Sequence, residues 1–390
     1  MSKRVLLLAV LALAGCGGGA KPAAPASTPA PKLPPATGDL SACAGLVQDT
    51  GRACYTREIR VIVDAAGAKP LPAVQRIAEA AYADGSGFLL ANCHGIMHTI
   101  GREWAVAHHL TLSHLMDYVP RSSDPGCSAG FGHGLVTGIA PQIQRLGPKA
   151  AARTCAKAET RYENYSCIHG LGHAFMRINM EMLPEALSMC EQLGEDAPDC
   201  AQGAYHDYWF SISGYDATKQ QAKPIDDPRE LCGAQPAAFV RSCWYRSFLE
   251  AGGGTRVQSP AELERLCDGL AGIQRAGCLT GASLIGPADP REQLKICAAL
   301  PRADQLDCVR GAKVQNILSY PGQLAVELVD GCGRLKTANA CTRWLGRVIG
   351  VFSNGAFKRT GCPKLATPAA RRSCAAGVSG MDDGPLVTFS

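Results

Sequence analysis

Cys190-Glu191-Gln192-Leu193-Gly194-Glu195-Asp196-Ala197-Pro198-Asp199-Cys200-Ala201-Gln202-Gly203-Ala204 is the stretch on which the fold turns. Two cysteines bracket a short polar segment containing Gly, Asp and Pro, which are turn residues. The second cysteine opens a run of small and apolar residues that reads as helix. Upstream, Pro184-Glu185-Ala186-Leu187-Ser188-Met189 leads into the first cysteine. Proline at the first helical position, an acid in the first turn and an apolar residue three before the cysteine are helix-start and apolar-face signals. The unit is therefore a helix, a bracketed turn and a second helix.

The same grammar extends in both directions. Cysteine pairs close in sequence fall at 43/54, 155/167, 190/200, 232/243, 267/278, 297/308, 332/341 and 362/374. Pro260-Ala261-Glu262-Leu263-Glu264-Arg265-Leu266 runs into Cys267 as Pro184 to Met189 runs into Cys190, and Gly281-Ala282 and Gly311-Ala312 follow Cys278 and Cys308 as Gly203-Ala204 follows Cys200. Second cysteines at 54, 93, 127, 167, 200, 243, 278, 308, 341 and 374 are spaced 30 to 43 residues apart. A period of ~35 residues is that of helix-turn-helix repeats. The expectation is an all-α chain of disulfide-stapled helix-turn-helix repeats, forming a solenoid or a curved or closed helical array. Cys93 and Cys127 have no local partner, and we expect them to pair with each other, tying two neighbouring helices; a metal ligand at either position is the alternative.

The chain has 390 residues and 19 cysteines. Setting aside Cys16 leaves an even number, which in an exported chain reads as nine disulfides (Cys43, Cys54, Cys93, Cys127, Cys155, Cys167, Cys190, Cys200, Cys232, Cys243, Cys267, Cys278, Cys297, Cys308, Cys332, Cys341, Cys362 and Cys374). No Cys-x-x-Cys occurs, which argues against thioredoxin-type chemistry, zinc ribbons and covalent haem. The net charge of +5 is modest and its basic residues form no run, so a nucleic-acid partner is not expected.

Lys3 and Arg4 precede an apolar run, Val5 to Leu13, too short to span a bilayer. The run ends in Leu13-Ala14-Gly15-Cys16, which resembles the lipobox of bacterial lipoproteins. The resemblance implies a signal peptide over residues 1–15, lipidation (palmitate included) of Cys16, and a place in the cell envelope on the outer membrane, since Gly17 is not the Asp that holds many such lipoproteins at the inner one. Residues 16–40, with six prolines from position 22 on, read as a lipid-anchored Pro/Ala-rich tether. The body divides by content into repeats with histidine motifs (41–230) and repeats without them (231–390). It resembles the secreted, cysteine-rich branch of tetratricopeptide-like repeat proteins, which implies the fold and says little about function.

Function points to the histidines. Gly95/His98, Gly130/His133, Gly170/His173 and Gly203/His206 follow Cys93, Cys127, Cys167 and Cys200, the glycine three residues on and the histidine six, one sooner in the first copy. Two copies read His-Gly-x-x-His in full, adding His94 and His169. Residues four apart share a helix face, so His94/His98 and His169/His173 each offer two imidazoles to one ion. Equivalent positions in stacked repeats come together, so six histidines (94, 98, 133, 169, 173, 206) should line one pocket. Later units carry Leu249, Leu284 and Val314 there. Imidazole ligation without thiolate suits copper or zinc, with copper highest by intrinsic affinity. Asp207 is a candidate for orienting a ring, Glu103 for a general base, and Met97, Met176, Met180, Met182 and Met189 for softening a copper site or filling the core. His108, His109 and His114 lie outside the register. No Ser-His-Asp signature, phosphate loop or His-Glu-x-x-His is present. The reading is a metal-binding (Cu or Zn) envelope lipoprotein; the alternatives are an interaction scaffold with a partner on its concave face, and a metal-dependent enzyme using Glu103.

Overall fold

A computed structural model describes residues 35–46, 48–84, 87–121, 126–210, 228–251, 257–287, 289–311 and 322–381. Cys16, the signal segment, most of the tether and Val314 lie outside the described residues. Among the described residues the secondary structure is helical, with no strand. In chain order the helices are α1 (Gln48–Ala65), α2 (Leu71–Ala83), α3 (Phe88–Ala107), α4 (Cys127–Gly138), α5 (Ala140–Leu146), α6 (Pro148–Cys155) and α7 (Arg161–Ile178). Next come α8 (Leu183–Glu191), α9 (Ala197–Phe210), α10 (Pro228–Gly233), α11 (Ala237–Ala251), α12 (Pro260–Leu266) and α13 (Gly272–Ser283). The C-terminal part holds α14 (Pro290–Ala299), α15 (Gln305–Arg310), α16 (Gly322–Gly331), α17 (Ala338–Phe352), α18 (Phe357–Thr360) and α19 (Pro368–Ser379).

Nine disulfides join these elements. Eight are local: Cys43–Cys54, Cys155–Cys167, Cys190–Cys200, Cys232–Cys243, Cys267–Cys278, Cys297–Cys308, Cys332–Cys341 and Cys362–Cys374. The ninth, Cys93–Cys127, brings α3 and α4 to a Cα–Cα distance of 4.9 Å. Helices that carry bridge cysteines pack on one another in series: α1 on α3, α3 on α4, then α4 on α7, α7 on α9, α9 on α11, α11 on α13, α13 on α15, α15 on α17 and α17 on α19. Apolar residues at helical spacing supply the seams, among them Ile96/Ile100, Phe131/Leu135 and Ile168/Leu171/Phe175, all buried. Tyr162 of α7 also meets Phe352 of α17, ring centroids 5.3 Å apart. Helices far apart in sequence thus touch.

Two boundaries differ from the sequence reading. Most second cysteines do not open their helices. Arg161 starts α7 six residues before Cys167, because Thr160 caps it: the Thr160 hydroxyl accepts the Glu163 N–H while the Glu163 carboxylate accepts the Thr160 N–H. Only α4 begins on its cysteine. The body also begins before residue 41, for the backbone N–H groups of Thr37 and Gly38 donate to the buried carboxylate of Glu58 on α1 (2.9 and 2.8 Å). The last residues assigned to the tether belong to the folded unit.

Glycine sets the closeness of the histidine-bearing helices. A Cβ on Gly130 of α4 would collide with the carbonyl oxygen of His94 on α3, and one on Gly203 of α9 with that of His169 on α7. Each glycine rests on the backbone of a histidine in the preceding unit. The small residue after the cysteine is therefore what lets neighbouring histidines approach.

Candidate metal centre

Four helices that pack in series, α3, α4, α7 and α9, bring the six histidines together. His94 and His98 rise from α3, His133 from α4, His169 and His173 from α7, and His206 from α9. Ring centroids stand 5.0 Å apart for His94/His98 and 5.0 Å for His169/His173, as one helical turn requires. Across helices they are equally close: 4.6 Å for His98/His173, 4.7 Å for His133/His169, 5.2 Å for His173/His206 and 5.5 Å for His94/His206. His98, His133, His169, His173 and His206 are buried, and His94 is half-buried.

The ring nitrogens lie close enough for one ion to be shared among three of them. Nitrogens of His94, His98 and His133 lie within 4.8 Å of one another, as do those of His133, His169 and His173. His133 belongs to both groups. Its Nδ1 is 3.3 Å from His98 Nε2; two ligands held ~2.0–2.1 Å from one tetrahedral ion are themselves about 3.3 Å apart. An ion there would replace the single proton that the two nitrogens otherwise share. His94 Nδ1 lies 3.2 Å from the Gly126 carbonyl, which can only accept; the proton therefore sits on Nδ1 and the lone pair on Nε2. His133 Nε2, His169 Nδ1 and both nitrogens of His173 have no hydrogen-bond partner among the described residues. Burying such atoms costs ~1–3 kcal/mol each, and coordination would offset it. The residues present fit a divalent transition metal.

The surroundings disfavour the charged form of His98, His133, His169, His173 and His206. Burial holds His98, His133, His169 and His206 well below the ordinary imidazole range, and repulsion from neighbouring rings and arginines adds to it. His173 is also lowered by burial, but Asp207 draws it partly back. Neutral imidazole is the form that binds metal. Asp207 is itself buried, with Oδ1 3.9 Å from His173 Nδ1, beyond hydrogen-bond distance but near enough for its charge to act on that ring.

Other sequence candidates fall elsewhere. The Glu103 carboxylate sits on the outer side of α3 in a two-point ion pair with Arg60 of α1, at 2.8 and 3.1 Å, and both side chains are partly exposed. Five residues past His98 is about 140° round a helix, so Glu103 lies on another side of α3 from the buried rings, with its carboxylate held by Arg60. His108 stacks on Trp104 and bonds that residue's carbonyl, His109 is exposed, and His114 pairs with Asp117 at the surface. Met97 and Met176 are core, Met180 and Met182 are exposed, and the Met189 sulfur accepts from Asn179.

One residue escaped the sequence reading. Arg246 of α11 is buried, and its Nη2 stands 3.5 Å from His169 Nε2. It lies three residues after Cys243, the position that Gly130, Gly170 and Gly203 hold in their own units. That register was the available signal: the small residue is replaced by the longest cation. The chain matches no known protein family, and no curated protein or solved structure was found to be similar to it.

Proposed function

We propose that the chain is a metal-binding protein of the cell envelope in which His94, His98, His133, His169, His173 and His206 hold a divalent transition ion, zinc or copper. The observation that carries this is the convergence of His94, His98, His133, His169 and His173 from three helices into two groups whose ring nitrogens lie within 4.8 Å of one another, with the His206 ring of α9 5.2 Å from that of His173. A scaffold with incidental histidines gives no reason to bury them against one another. A register of leucines, as at Leu284, would pack as well. The series of bridge-bearing helices from α1 to α19, each packed on the next, supports a curved tetratricopeptide-like repeat array, and the Tyr162–Phe352 contact supports one that bends back on itself.

Elemental analysis of protein isolated from an oxidising compartment supplied with zinc and copper tests the reading. At least one equivalent of zinc or copper per chain is expected, retained through dialysis and released by a chelator or by acid. Metal well below one equivalent after direct reconstitution as well would overturn it.

The envelope assignment rests on the lipobox-like Leu13-Ala14-Gly15-Cys16 and is supported by the nine disulfides, which persist only where thiols oxidise. Among the described residues no helix is long and apolar enough to cross a membrane; a lipid on Cys16 would hold the chain at the bilayer. Cys16→Ser should move the protein from the membrane to the soluble fraction and abolish palmitate labelling. Unchanged fractionation of that variant would remove the anchor from the proposal.

A further inference from the structure

The histidine register has a counterpart in the last units of the chain. Arg343 and Arg347 stand two and six residues after Cys341, the offsets of His169 and His173 after Cys167, and Arg310 stands two after Cys308. Residues four apart share a helix face, so α17 carries two guanidinium groups at the positions where α7 carries two imidazoles. The same offsets from Cys374 hold Ala376 and Gly380, with Gly377 between them. A Cβ on Gly377 would collide with the Arg343 carbonyl oxygen, so α19 lies main chain to main chain against α17. Small residues beside long ones leave a hollow. A cavity of about 290 Å³ is walled by Arg310, Arg343 and Arg347, by the half-buried Trp344, and by the low surface of Ala376, Gly377 and Gly380. Among the described residues no carboxylate lines it. Arg343 is exposed and has no hydrogen-bond or ion-pair partner among the described residues. Arg310 pairs with Asp307 at 2.8 Å, but Arg241 holds the same carboxylate at 2.8 Å. A guanidinium has five N–H donors, so that bond leaves Arg310 able to serve a second acceptor.

We propose that this cavity binds a small phosphate monoester with a flat apolar body, its phosphate on the arginines and its body against Trp344. Guanidinium forks match phosphate oxygens two at a time. Three arginines in a wall without a carboxylate suit a dianion better than a single charge. The indole offers an aromatic face for the rest of the ligand, and a concave apolar wall with a few charged groups is the usual form of a small-molecule site. The site uses none of the six histidines, so it stands or falls apart from the metal-binding reading.

Phenyl phosphate is the probe, with benzoate and inorganic phosphate beside it, in calorimetric titrations of the full chain in phosphate-free buffer. Phenyl phosphate is expected to bind with a Kd of ~1 mM or tighter, and each of the other two at least ~fivefold more weakly. Arg343→Gln should weaken phenyl phosphate about tenfold, the effect of losing one charge-assisted hydrogen bond. Arg372→Gln removes an exposed arginine of α19 outside the cavity and should change it less than ~twofold. Trp344→Leu should weaken phenyl phosphate and leave inorganic phosphate as it was, a split that a merely structural tryptophan would not give. Absence of saturable phenyl phosphate binding overturns the proposal. Equal losses in Arg343→Gln and Arg372→Gln overturn it too, since they would mark diffuse surface charge. Benzoate bound as tightly as phenyl phosphate overturns the phosphate assignment. If Trp344→Leu loses its helical circular dichroism, the contrast between the two arginine variants decides alone.

Discussion

Replacing His98 and His173 together by leucine is expected to abolish stable metal uptake while leaving helix content unchanged. The pair draws one ring from each group of three, His94/His98/His133 and His133/His169/His173, and the two rings are 4.6 Å apart across α3 and α7. Each group keeps only two imidazoles, one short of the three that a zinc or copper site needs. Loss of a residue that merely orients a ligand costs ~10–100-fold in metal affinity, so loss of two ligands should exceed ~100-fold. Leucine suits the position. Leu284 stands six residues after Cys278, as His173 does after Cys167, and is buried without distortion of its unit. Both histidines are buried, so leucine removes polar atoms from the interior, and the metal-free variant should unfold no earlier than the native apo-protein. Chelator competition and far-ultraviolet circular dichroism read the two effects separately. Metal affinity within tenfold of native would exclude these rings as ligands, and loss of fold would make them core packing.

The second large effect is expected at Cys93–Cys127. This bridge closes a 34-residue separation, against 9 to 12 for the others. In the chain-entropy picture its loss costs about 3.8 kcal/mol, against about 2.8 kcal/mol for a separation of eleven or twelve. It also differs in what it holds. His94 adjoins Cys93, and His133 lies six residues after Cys127, so the bridge fixes two of the proposed ligands. Cys93→Ala/Cys127→Ala should lower both stability and metal affinity. Cys362→Ala/Cys374→Ala, in the half without the histidines, should lower stability alone. Denaturant titrations with metal analysis on both variants check this. Equal metal affinity in the two would show that α3 and α4 are held in register by their glycines and apolar residues without the bridge.

How much could be read beforehand depended on whether the information was local. Cysteine spacing is local. A bracketed turn of Gly, Asp and Pro closes on itself whatever surrounds it, so the helical class was legible from Cys190 to Ala204 and its copies. The histidine register was legible for the same reason, since a fixed offset from a fixed cysteine determines a helix face. Glu103 was misplaced because a face was judged from sequence distance alone, while the side chain was claimed by Arg60 from a helix 43 residues earlier. Arg246 breaks a glycine register that resumes at Gly281, so its place was legible only as an interruption of the pattern. The start of α7 moved because a capping box outranks a cysteine as a helix boundary.

The contacts of Gly130 and Gly203 carry a further implication. In most metal sites side chains set the reach between ligands, and a rotamer change can retune it. Here the spacing between α3 and α4, and between α7 and α9, is fixed where a glycine meets the carbonyl of a ligand-bearing residue, main chain against main chain. Such a gauge has little give, because neither surface can rotate away. An ion bound there would therefore be sorted by bond length as well as by chemistry. Bonds of ~2.0–2.1 Å to imidazole nitrogen suit the gauge, whereas a calcium-sized ion at ~2.3–2.6 Å asks for both a wider frame and oxygen donors.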